Sequence, residues 1–523
     1  MTFAADQPTA DAPPTNNNNS VPPNHESGEV PPVATVQGHE PALPPQPGSP
    51  GYSSATETFN LAARVHPTAA ITATSTQGVV AAIEYARRAA LPVRVMSTGH
   101  GATAKPTMGH SLLVRTRFAG SVRVDPVTRT ARVPAGATWA EVSAATTPHG
   151  LVAMHGSSGS VGAVGYLLRG GISFYGRRFG LAVNSLRSVT LITASGEQVI
   201  AGTHRDPELF WALRGGGGGF GVVTEVEITL QPMAAIVTGA TIWAAKNAQA
   251  IVPQWVAWAA DAPSAISTSL RLMNVPPGPG VPDLLSGGQI LVIDGAASAE
   301  TSRDLEDAQS AVDDLLGPLR AAAAPLLDTW HPAEPAELLH VHMDAPAPPP
   351  YAGDHMLLSD LGDPGIASFI AAAGPDSGHQ LTIAELRQLG GSFARPPAPG
   401  GALDRVGAPL AYVGIGVTPD PGESARVHST LERVARALRP FSTGFTVPSV
   451  VENYKAVQRT FDDQTALAVR SVRARIDPHA MFGDDVDPIR DVIDEGPPQP
   501  ADEATPLPAG QGLSPALSTG SNR

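Results

Sequence analysis

The 523-residue chain contains no cysteine. Disulfides, thiolate nucleophiles, cysteine-bound zinc and cysteine-ligated iron–sulfur clusters are therefore excluded. The formal net charge is −14 and no block of lysine or arginine is present, so we expect no nucleic-acid partner. No apolar run is long enough to span a bilayer, and the first residues lack the pattern of a secretory signal. We therefore expect a soluble, cytoplasmic protein with no membrane partner.

Aromatic residues are also sparse, at 5%, whereas glycine (53) and proline (52) are abundant. Part of this excess lies at the two ends of the chain. Residues 1–57 and 486–523 are rich in proline, alanine and small polar or acidic residues. Such segments cannot bury enough apolar surface to offset the entropy lost on ordering. Both ends are predicted to be disordered, with the folded body between them.

The first part of the folded body alternates short strands and helices. Ser75 or Thr76, then Thr138, then Asp206 can each cap a helix that carries apolar residues at helical spacing. Hairpins are predicted around residues 126–128 and 194–197, where turn residues separate β-type runs. These signals indicate an α+β region with many short elements.

A second region begins near Met233. Apolar strands at 236–243, 289–294 and 411–417 alternate with helices at about 301–319 and 422–438, which predicts one antiparallel sheet backed by helices. Residues 321–405 are rich in proline and glycine and give no interpretable pattern. The stretch Thr446–Phe482 is predicted to be rich in helix.

Glycines form three clusters that follow strands, at 97–102, 156–171 and 215–221. Backbone N–H groups in such turns can converge on a pyrophosphate, because a chain without Cβ atoms can approach closely. The phosphate-loop pattern is absent, and Gly159, Gly162 and Gly165 lack the GxGxxG spacing. Each cluster alone is typical of surface turns.

Taken together and in order, the clusters carry a family resemblance. The stretch Leu91–Leu230 resembles the FAD-binding domain of the berberine-bridge-enzyme-like oxidoreductases of the vanillyl-alcohol-oxidase superfamily. The matching motifs are VRVMSTGHG (93–101), VPAGATWAEV (133–142), HGLVAMHGSSGSVGAVGYLLRGG (149–171), RRFGLAVNSL (177–186), DPELFWALRGGGGGFGVVTEV (206–226) and, near the end, ARIDPHAMF (474–482).

The resemblance implies a two-domain α+β fold of the PCMH type. Residues 58–232 would form the FAD-binding domain, and 445–485 would return to it. Residues 233–444 would form a substrate domain of antiparallel sheet backed by helices.

The implied function is an FAD-dependent oxidoreductase. It would oxidise a small organic substrate, a sugar, an alcohol or a secondary metabolite, by hydride transfer to covalently bound flavin. The flavin would be reoxidised by O₂ or by another acceptor. The alternative is a non-catalytic or degenerate flavin-binding relative. The sequence selects neither the substrate, nor the acceptor, nor the oligomeric state.

His100 is the residue that the resemblance makes central. In the family, the histidine of the Gly-His motif bonds to the 8α-methyl carbon of the flavin. Outside that motif, a histidine between glycines is more typical of a solvent-facing loop. Many relatives form a second link through a cysteine, and Ser158 occupies that position here. We therefore expect a single covalent link, through His100.

The resemblance also implies a wider set of cofactor-binding residues. They are Ser97, Thr98, Gly99, His100, Gly101, Ala102, Ser158, Ser160, Val161, Gly162, Gly165, Gly170, Gly171, Gly176, Val183, Gly221, Val222, Val223 and Asn453. Arg169 stands where the family has glycine, so it can pair with a phosphate or obstruct the site. Gly219 replaces the family's usual asparagine.

Two tyrosines are candidate catalytic residues, and no metal site is predicted. Tyr454 matches the tyrosine of the family's Asn-Tyr pair, which can help to remove a substrate hydroxyl proton; the alternative is a packed, hydrogen-bonded tyrosine. Tyr166 is a candidate for lining the flavin face. Glu452 and Lys455 are interpreted as solvated surface residues.

Overall fold

The computed structural model describes residues 44–63, 65–104, 108–275, 283–286, 288–345, 347–378, 381–453 and 459–482. The predicted disordered tail 486–523 and most of the predicted N-terminal disorder lie outside these residues, as do Tyr454 and Lys455. No helix in the described ranges is long and apolar enough to cross a membrane.

The first region is built from short strands and helices. Its strands are β1 Ala69–Ala73, β2 Val93–Met96, β3 Leu112–Thr116, β4 Arg123–Asp125, β5 Thr130–Pro134, β6 Leu151–Val152, β7 Leu186–Ile192, β8 Gln198–Gly202, β9 Val222–Thr229 and β10 Gln231–Pro232. Its helices are α1 Pro50–Thr56, α2 Thr76–Arg88, α3 Trp139–Thr146, α4 Ala163–Leu168, α5 Gly176–Phe179 and α6 Pro207–Leu213.

These strands form separate sheets. β1 and β2 flank β3 in a parallel sheet. An antiparallel sheet has the order β4-β5-β9-β7-β8, and β6 pairs with β10. Both predicted hairpins, β4–β5 and β7–β8, are confirmed.

Local sequence signals account for the helix starts. The Ser75 side chain accepts a hydrogen bond from the backbone of Gly78 and caps α2. Thr138 and Glu141 form a reciprocal capping box at α3, and Asp206 caps α6. All three predicted caps are confirmed, because each side chain satisfies a backbone N–H that the first helical turn leaves without a partner.

The predicted N-terminal disorder extends too far into the chain. Residues 44–57 are described, and they contain α1, which Ser49 caps. Ala55 of this helix is fully buried beside Met96 and Leu113, and its carbonyl accepts a hydrogen bond from Arg115. The proline-rich composition led to a prediction of disorder here. Proline is nevertheless tolerated in the first turn of a helix, and Pro50 occupies that place in α1.

The second region is dominated by one large sheet. Its strands are β11 Ala235–Ala244, β12 Ile266–Met273, β13 Ile290–Ala299, β14 Leu327–Asp328, β15 His331–Ala333, β16 Tyr351–Leu358, β17 Ile383–Gln388 and β18 Leu410–Val417. The helices that follow the first region are α7 Ala248–Asp261, α8 Asp283–Ser286, α9 Leu305–Ala322, α10 Leu338–Val341, α11 Gly362–Ala373, α12 Pro421–Leu438 and α13 Asp463–Ile476.

The large sheet is antiparallel, with the order β14-β11-β13-β12-β17-β18-β16 and with β15 also paired to β11. Leu270 and Leu386 point to the face that is covered by α7, α9, α11 and α12. Side chains alternate along a strand, so Arg271 and Glu385 point to the opposite face. The predicted antiparallel sheet backed by helices is confirmed, and β14–β17 fill the stretch that could not be interpreted.

The described end of the chain returns to the first region. The backbone N–H of Val93 in β2 donates to the Met481 carbonyl at 2.7 Å. Phe482 is buried in the core between α2 and the parallel sheet, beside Ile83 and Val114. Strand β2, which leads directly to His100, is therefore held between β3 and the C-terminal segment.

Candidate functional site

A cavity lies between the two regions, and all three glycine clusters contribute to its lining. The first contributes residues 97–102, the second 156–158 together with 161, 162, 164–166, 168 and 169, and the third 218, 219 and 221. The second region contributes Arg387, and residues 449, 450 and 452 close another side. Segments far apart in sequence thus meet at one concave site.

The first two clusters are in direct contact. The backbone N–H of Gly162 donates to the Thr98 hydroxyl at 3.2 Å. A β-carbon on Gly162 would lie 2.3 Å from Ser97 Oγ, and one on Gly99 would lie 2.7 Å from Thr58 Cα. Gly99 also has φ +81°, which other residues rarely adopt. The glycines are required for this close approach.

The third cluster is held by the helix that precedes the closing motif. Arg473 of α13 donates to the carbonyls of Gly216 and Gly218 and lies over the Phe220 ring at 5.1 Å. A β-carbon on Gly219 would lie 2.5 Å from Arg473 Nε. Gly219, which stands where the family has asparagine, therefore leaves room for the Arg473 side chain.

His100 lies in the cavity lining with its ring fixed on two sides. It stacks on Phe59 with the ring centroids 3.8 Å apart and the planes 13° apart. Its Nε2 atom lies 2.9 Å from Ser160 Oγ, which in turn lies 2.9 Å from Ser158 Oγ. Burial lowers the pKa of His100 to about 4, against the opposing effects of Asp344 and Ser160. The imidazole is therefore neutral at neutral pH and keeps a nucleophilic ring nitrogen.

Two arginines present unpaired N–H groups at the cavity. Arg94 Nη1 and Arg169 Nε are buried and have no hydrogen-bond partner among the described residues. The Arg169 guanidinium lies against the backbone of Gly101, where a β-carbon would be 2.6 Å from Nη1. Unsatisfied guanidinium groups beside glycine-lined backbone fit the diphosphate of FAD, which is anionic and accepts hydrogen bonds. Of the two readings of Arg169, this geometry favours the phosphate partner.

Tyr166 of α4 faces the cavity with a hydroxyl that has no partner in the described part of the chain. Its ring meets Trp139 edge-on at 5.5 Å and fits between Gly156 and Gly171. Burial raises the pKa of Tyr166, although Arg387 opposes this rise. The phenol therefore keeps its proton at neutral pH, so it can donate a hydrogen bond to a bound molecule.

Glu452 also lines the cavity, so its interpretation as a solvated surface residue is wrong. Thr103 donates to its Oε2 atom at 2.7 Å, and the Tyr351 hydroxyl lies 3.5 Å from Oε1. Burial raises the pKa of Glu452 to about 7, against the opposing effects of Thr103, Arg169 and Tyr351. The carboxyl can therefore gain or lose a proton near neutral pH.

Arg387 enters the cavity from β17 at the end of a buried charge network. Glu385 accepts from its Nε at 2.6 Å, and His342 Nε2 lies 3.0 Å from its Nη2. Although burial alone would raise it, Arg387 and His342 hold the pKa of Glu385 well below its usual range. The guanidinium also lies 5.0 Å from the centre of the Phe174 ring. These contacts hold the Arg387 guanidinium in place on the side of the cavity that β17 forms.

The structure brings most of the sequence-predicted residues together. Those that line the cavity are Ser97, Thr98, Gly99, His100, Gly101, Ala102, Ser158, Val161, Gly162, Gly165, Tyr166, Gly221 and Val223. Ser160 is not part of the lining but contacts His100 directly.

Besides Ser160, six predicted cofactor-binding residues do not line this cavity: Gly170, Gly171, Gly176, Val183, Val222 and Asn453. For most of these, packing explains the residue type. A β-carbon on Gly176 would lie 1.9 Å from Phe393 Cζ, and one on Gly171 2.4 Å from Tyr166 Cε1. Val183 and Val222 are fully buried in hydrophobic clusters. Their role in binding the cofactor stays a prediction.

Sequence reasoning missed five contributors: Phe59, Arg94, Tyr351, Arg387 and Glu452. The last three depend on contacts between segments 100 or more residues apart, such as Thr103 with Glu452. One signal was available for Arg387, because Glu385 and Arg387 alternate with apolar residues in β17. A charged pair at that spacing in an apolar strand indicates a buried ion pair.

Comparison with known proteins agrees with this geometry. Residues 67–202 match the FAD binding domain family. The (R)-6-hydroxynicotine oxidase of Paenarthrobacter nicotinovorans is 34% identical over 152 residues, which cover 29% of this chain and 33% of that enzyme. The chain spans between about a quarter and a half of the length of the curated relatives it matches.

Solved structures share the fold over most of the chain. BBE-like 1 of Physcomitrella patens has a TM-score of 0.73 at 18% identity and covers 86% of this chain and 97% of its own. A glucooligosaccharide oxidase of Acremonium strictum, described with a 6-S-cysteinyl, 8α-N1-histidyl FAD, has a TM-score of 0.65 at 19% identity and covers 84% and 95%.

The glycine-lined cavity, its unpaired arginines and the matched segment together define an FAD-binding protein. Its fold is that of the berberine-bridge-enzyme-like, PCMH-type FAD-linked oxidoreductases, as the motifs predicted.

Proposed function

We propose that this chain is an FAD-dependent oxidoreductase that oxidises a small organic substrate, with its FAD attached covalently to His100. The observation that carries the proposal is the convergence of three glycine clusters on one cavity that His100 lines. Bound there, FAD supplies an acceptor for the two electrons and the hydrogen of a hydride.

The environment of His100 supports the covalent link. Attachment requires a ring nitrogen with a free electron pair, and the lowered pKa keeps the imidazole neutral. Stacking on Phe59 and the contact with Ser160 restrict the ring to one orientation. A histidyl link is named for the glucooligosaccharide oxidase of the same fold. Because Ser158 offers a hydroxyl in the position of the second link, we propose a single attachment.

Other residues of the cavity divide the remaining tasks. Arg94 and Arg169 would hold the diphosphate, because their buried N–H groups need anionic acceptors. Tyr166 would donate a hydrogen bond to an oxygen of the bound molecules, and Arg387 would provide a fixed positive charge on the substrate side. Tyr454, which directly follows Asn453, stays the prediction for the group that takes a substrate proton.

We propose a small alcohol, amine or sugar as the substrate. The matched relatives include an oxidase named for hydroxynicotine and one named for glucooligosaccharides, so both chemistries occur on this fold. O₂ or another acceptor would then take up the electrons.

The test is anaerobic reduction of the purified full-length protein. We expect the protein to show a flavin absorption band near neutral pH. At least one donor from a panel that includes 6-hydroxynicotine, cello-oligosaccharides and benzyl alcohol should bleach this band. Readmitted O₂ should restore the band and yield hydrogen peroxide if the protein is an oxidase. A yellow protein that dithionite bleaches but no donor does would instead indicate a non-catalytic flavin-binding relative. A colourless protein would contradict the proposal altogether.

A further inference from the structure

We propose that Glu452 is the proton acceptor for covalent attachment of the flavin to His100. This inference rests on the proposed function, since it assigns a residue to the formation of that link. It starts from the position of Glu452, which is the carboxylate in the cavity lining contributed by the described residues.

Glu452 lies against the loop that carries His100. Its Oε2 atom accepts from Thr103, three residues beyond His100 in the sequence. The Tyr351 hydroxyl lies between the two residues, 3.4 Å from the His100 carbonyl and 3.5 Å from Glu452 Oε1. Gly353 of β16 makes room for the side chain, because a β-carbon there would lie 3.0 Å from Glu452 Cβ. The carboxyl is therefore at the attachment end of the cavity.

The reaction needs such a group. A ring nitrogen of His100 forms a bond to the methyl carbon of the flavin while a C–H bond of that carbon breaks. Glu452 takes the proton, and the imidazole releases its other N–H proton towards Ser160 and solvent. The electron pair of the C–H bond would pass through the flavin ring to dioxygen, which would leave as hydrogen peroxide with the two protons released from the methyl carbon and the imidazole. Atoms and electrons therefore balance with dioxygen as the oxidant.

The charges around Glu452 suit an acceptor that works near neutral pH. Thr103, Arg169 and Tyr351 face it from three different segments, and Arg169 stabilises its ionised form. Asp344 is a second nearby carboxylate, and its negative charge raises the pKa values of His100, Tyr351 and Arg387. His100 is already neutral well below pH 7, so the carboxyl is the group that changes charge in the neutral range.

The test uses the full chain produced under riboflavin limitation and then supplied with FAD in air. Covalent flavin is measured as the fluorescence of the protein band after denaturing electrophoresis, across pH 5.5 to 9. We expect the wild-type rate to rise with pH through about 7, because only the ionised carboxylate accepts a proton. Glu452→Gln should bind FAD but attach it about 10²-fold more slowly or worse, without this rise.

Asp344→Asn is the matched control, because it removes a carboxylate that acts on His100 but does not line the cavity. We expect this variant to attach flavin with the wild-type pH dependence. If Glu452→Gln does not retain FAD, Thr103→Val tests the same point, because loss of the hydrogen-bond donor should move the rise to higher pH.

Attachment by Glu452→Gln at the wild-type rate would overturn the assignment, as would a Thr103→Val profile identical to that of the wild type. Either result would leave the proposed function intact. Failure of the wild type itself to attach flavin at any pH would instead refute the covalent link through His100.

Discussion

The ion pair of Arg271 and Asp294 is buried on the face of the large sheet that also carries Arg387. The free energy that this pair contributes to folding can be measured and compared with the structure. Both side chains have no exposed surface, and Arg271 Nη2 lies 2.5 Å from Asp294 Oδ2. Asp294 also accepts from Ser269 Oγ and contacts His342 Nδ1 at 2.9 Å, and His342 in turn contacts Arg387. Asp294→Asn preserves the shape of the side chain but leaves the Arg271 charge without its counterion.

Loss of one partner from a buried pair typically costs about 3–5 kcal/mol, because the remaining charge is neither hydrated nor neutralised. We expect Asp294→Asn and Arg271→Met each to lower the free energy of unfolding by about this amount. The double variant Arg271→Met/Asp294→Asn should cost much less than the sum of the two single variants, because it leaves no unpaired charge there. Guanidinium unfolding followed by tryptophan fluorescence measures all three.

Asp463→Asn is the matched control, because Asp463 pairs with Arg459 at 3.2 Å on the surface, with 84% of its side chain exposed. Its loss should cost at most about 1 kcal/mol. If Asp294→Asn proved as mild as this control, or if the two buried variants were additive, the pair would not be buried as described.

Three further predictions concern packing, pH and the second link. Gly176→Ala should destabilise the protein by about 1–3 kcal/mol without altering the amount of FAD retained, because its β-carbon would overlap Phe393. In the same unfolding assay, Gly317→Ala in α9 should be neutral or stabilising, because its β-carbon would meet open space. The cationic partners of Asp294 and Glu385 depress the pKa values of these carboxyls despite burial. The stability that the two carboxylates contribute should therefore be fully present above the ordinary carboxyl pKa of about 4 and be lost as pH falls further. A melting temperature that stayed constant from pH 6 to pH 3 would contradict this. Ser158→Cys should add a second flavin link, visible as an altered absorption spectrum, and an unchanged spectrum would show that this position does not face the flavin ring.

Much of the FAD-binding region was predictable because its signals are local. A capping side chain and its target N–H are three residues apart, and hairpins follow from a turn between two β-type runs. The glycine motifs occur in the same order as in the family that the sequence resembles. The convergence of the first two clusters, which meet through Gly162 and Thr98, could therefore be anticipated. The region was recognisable because these constraints act over a few residues.

The part of the cavity around Glu452 was not predictable, because its contacts are far apart in the sequence. Glu452 follows two valines and precedes Asn453, and nothing in that stretch distinguishes a cavity carboxylate from a surface one. Its environment comes from Thr103 and Tyr351, which are 349 and 101 residues away in the sequence. The glycines at 170, 171 and 176 stay predictions for the cofactor, because close packing against Leu403, Tyr166 and Phe393, respectively, requires glycine just as a cofactor does.

The central claim is that the cavity holds FAD bonded to one imidazole, and peptide mass spectrometry tests it most directly. Digestion of the purified protein should yield a peptide that contains His100 and carries the mass of FAD. The peptide that contains Ser158 should carry no flavin. The same digest of His100→Ala should contain no flavin peptide. FAD released entirely by acid from the wild type, or an adduct on another residue, would contradict the account.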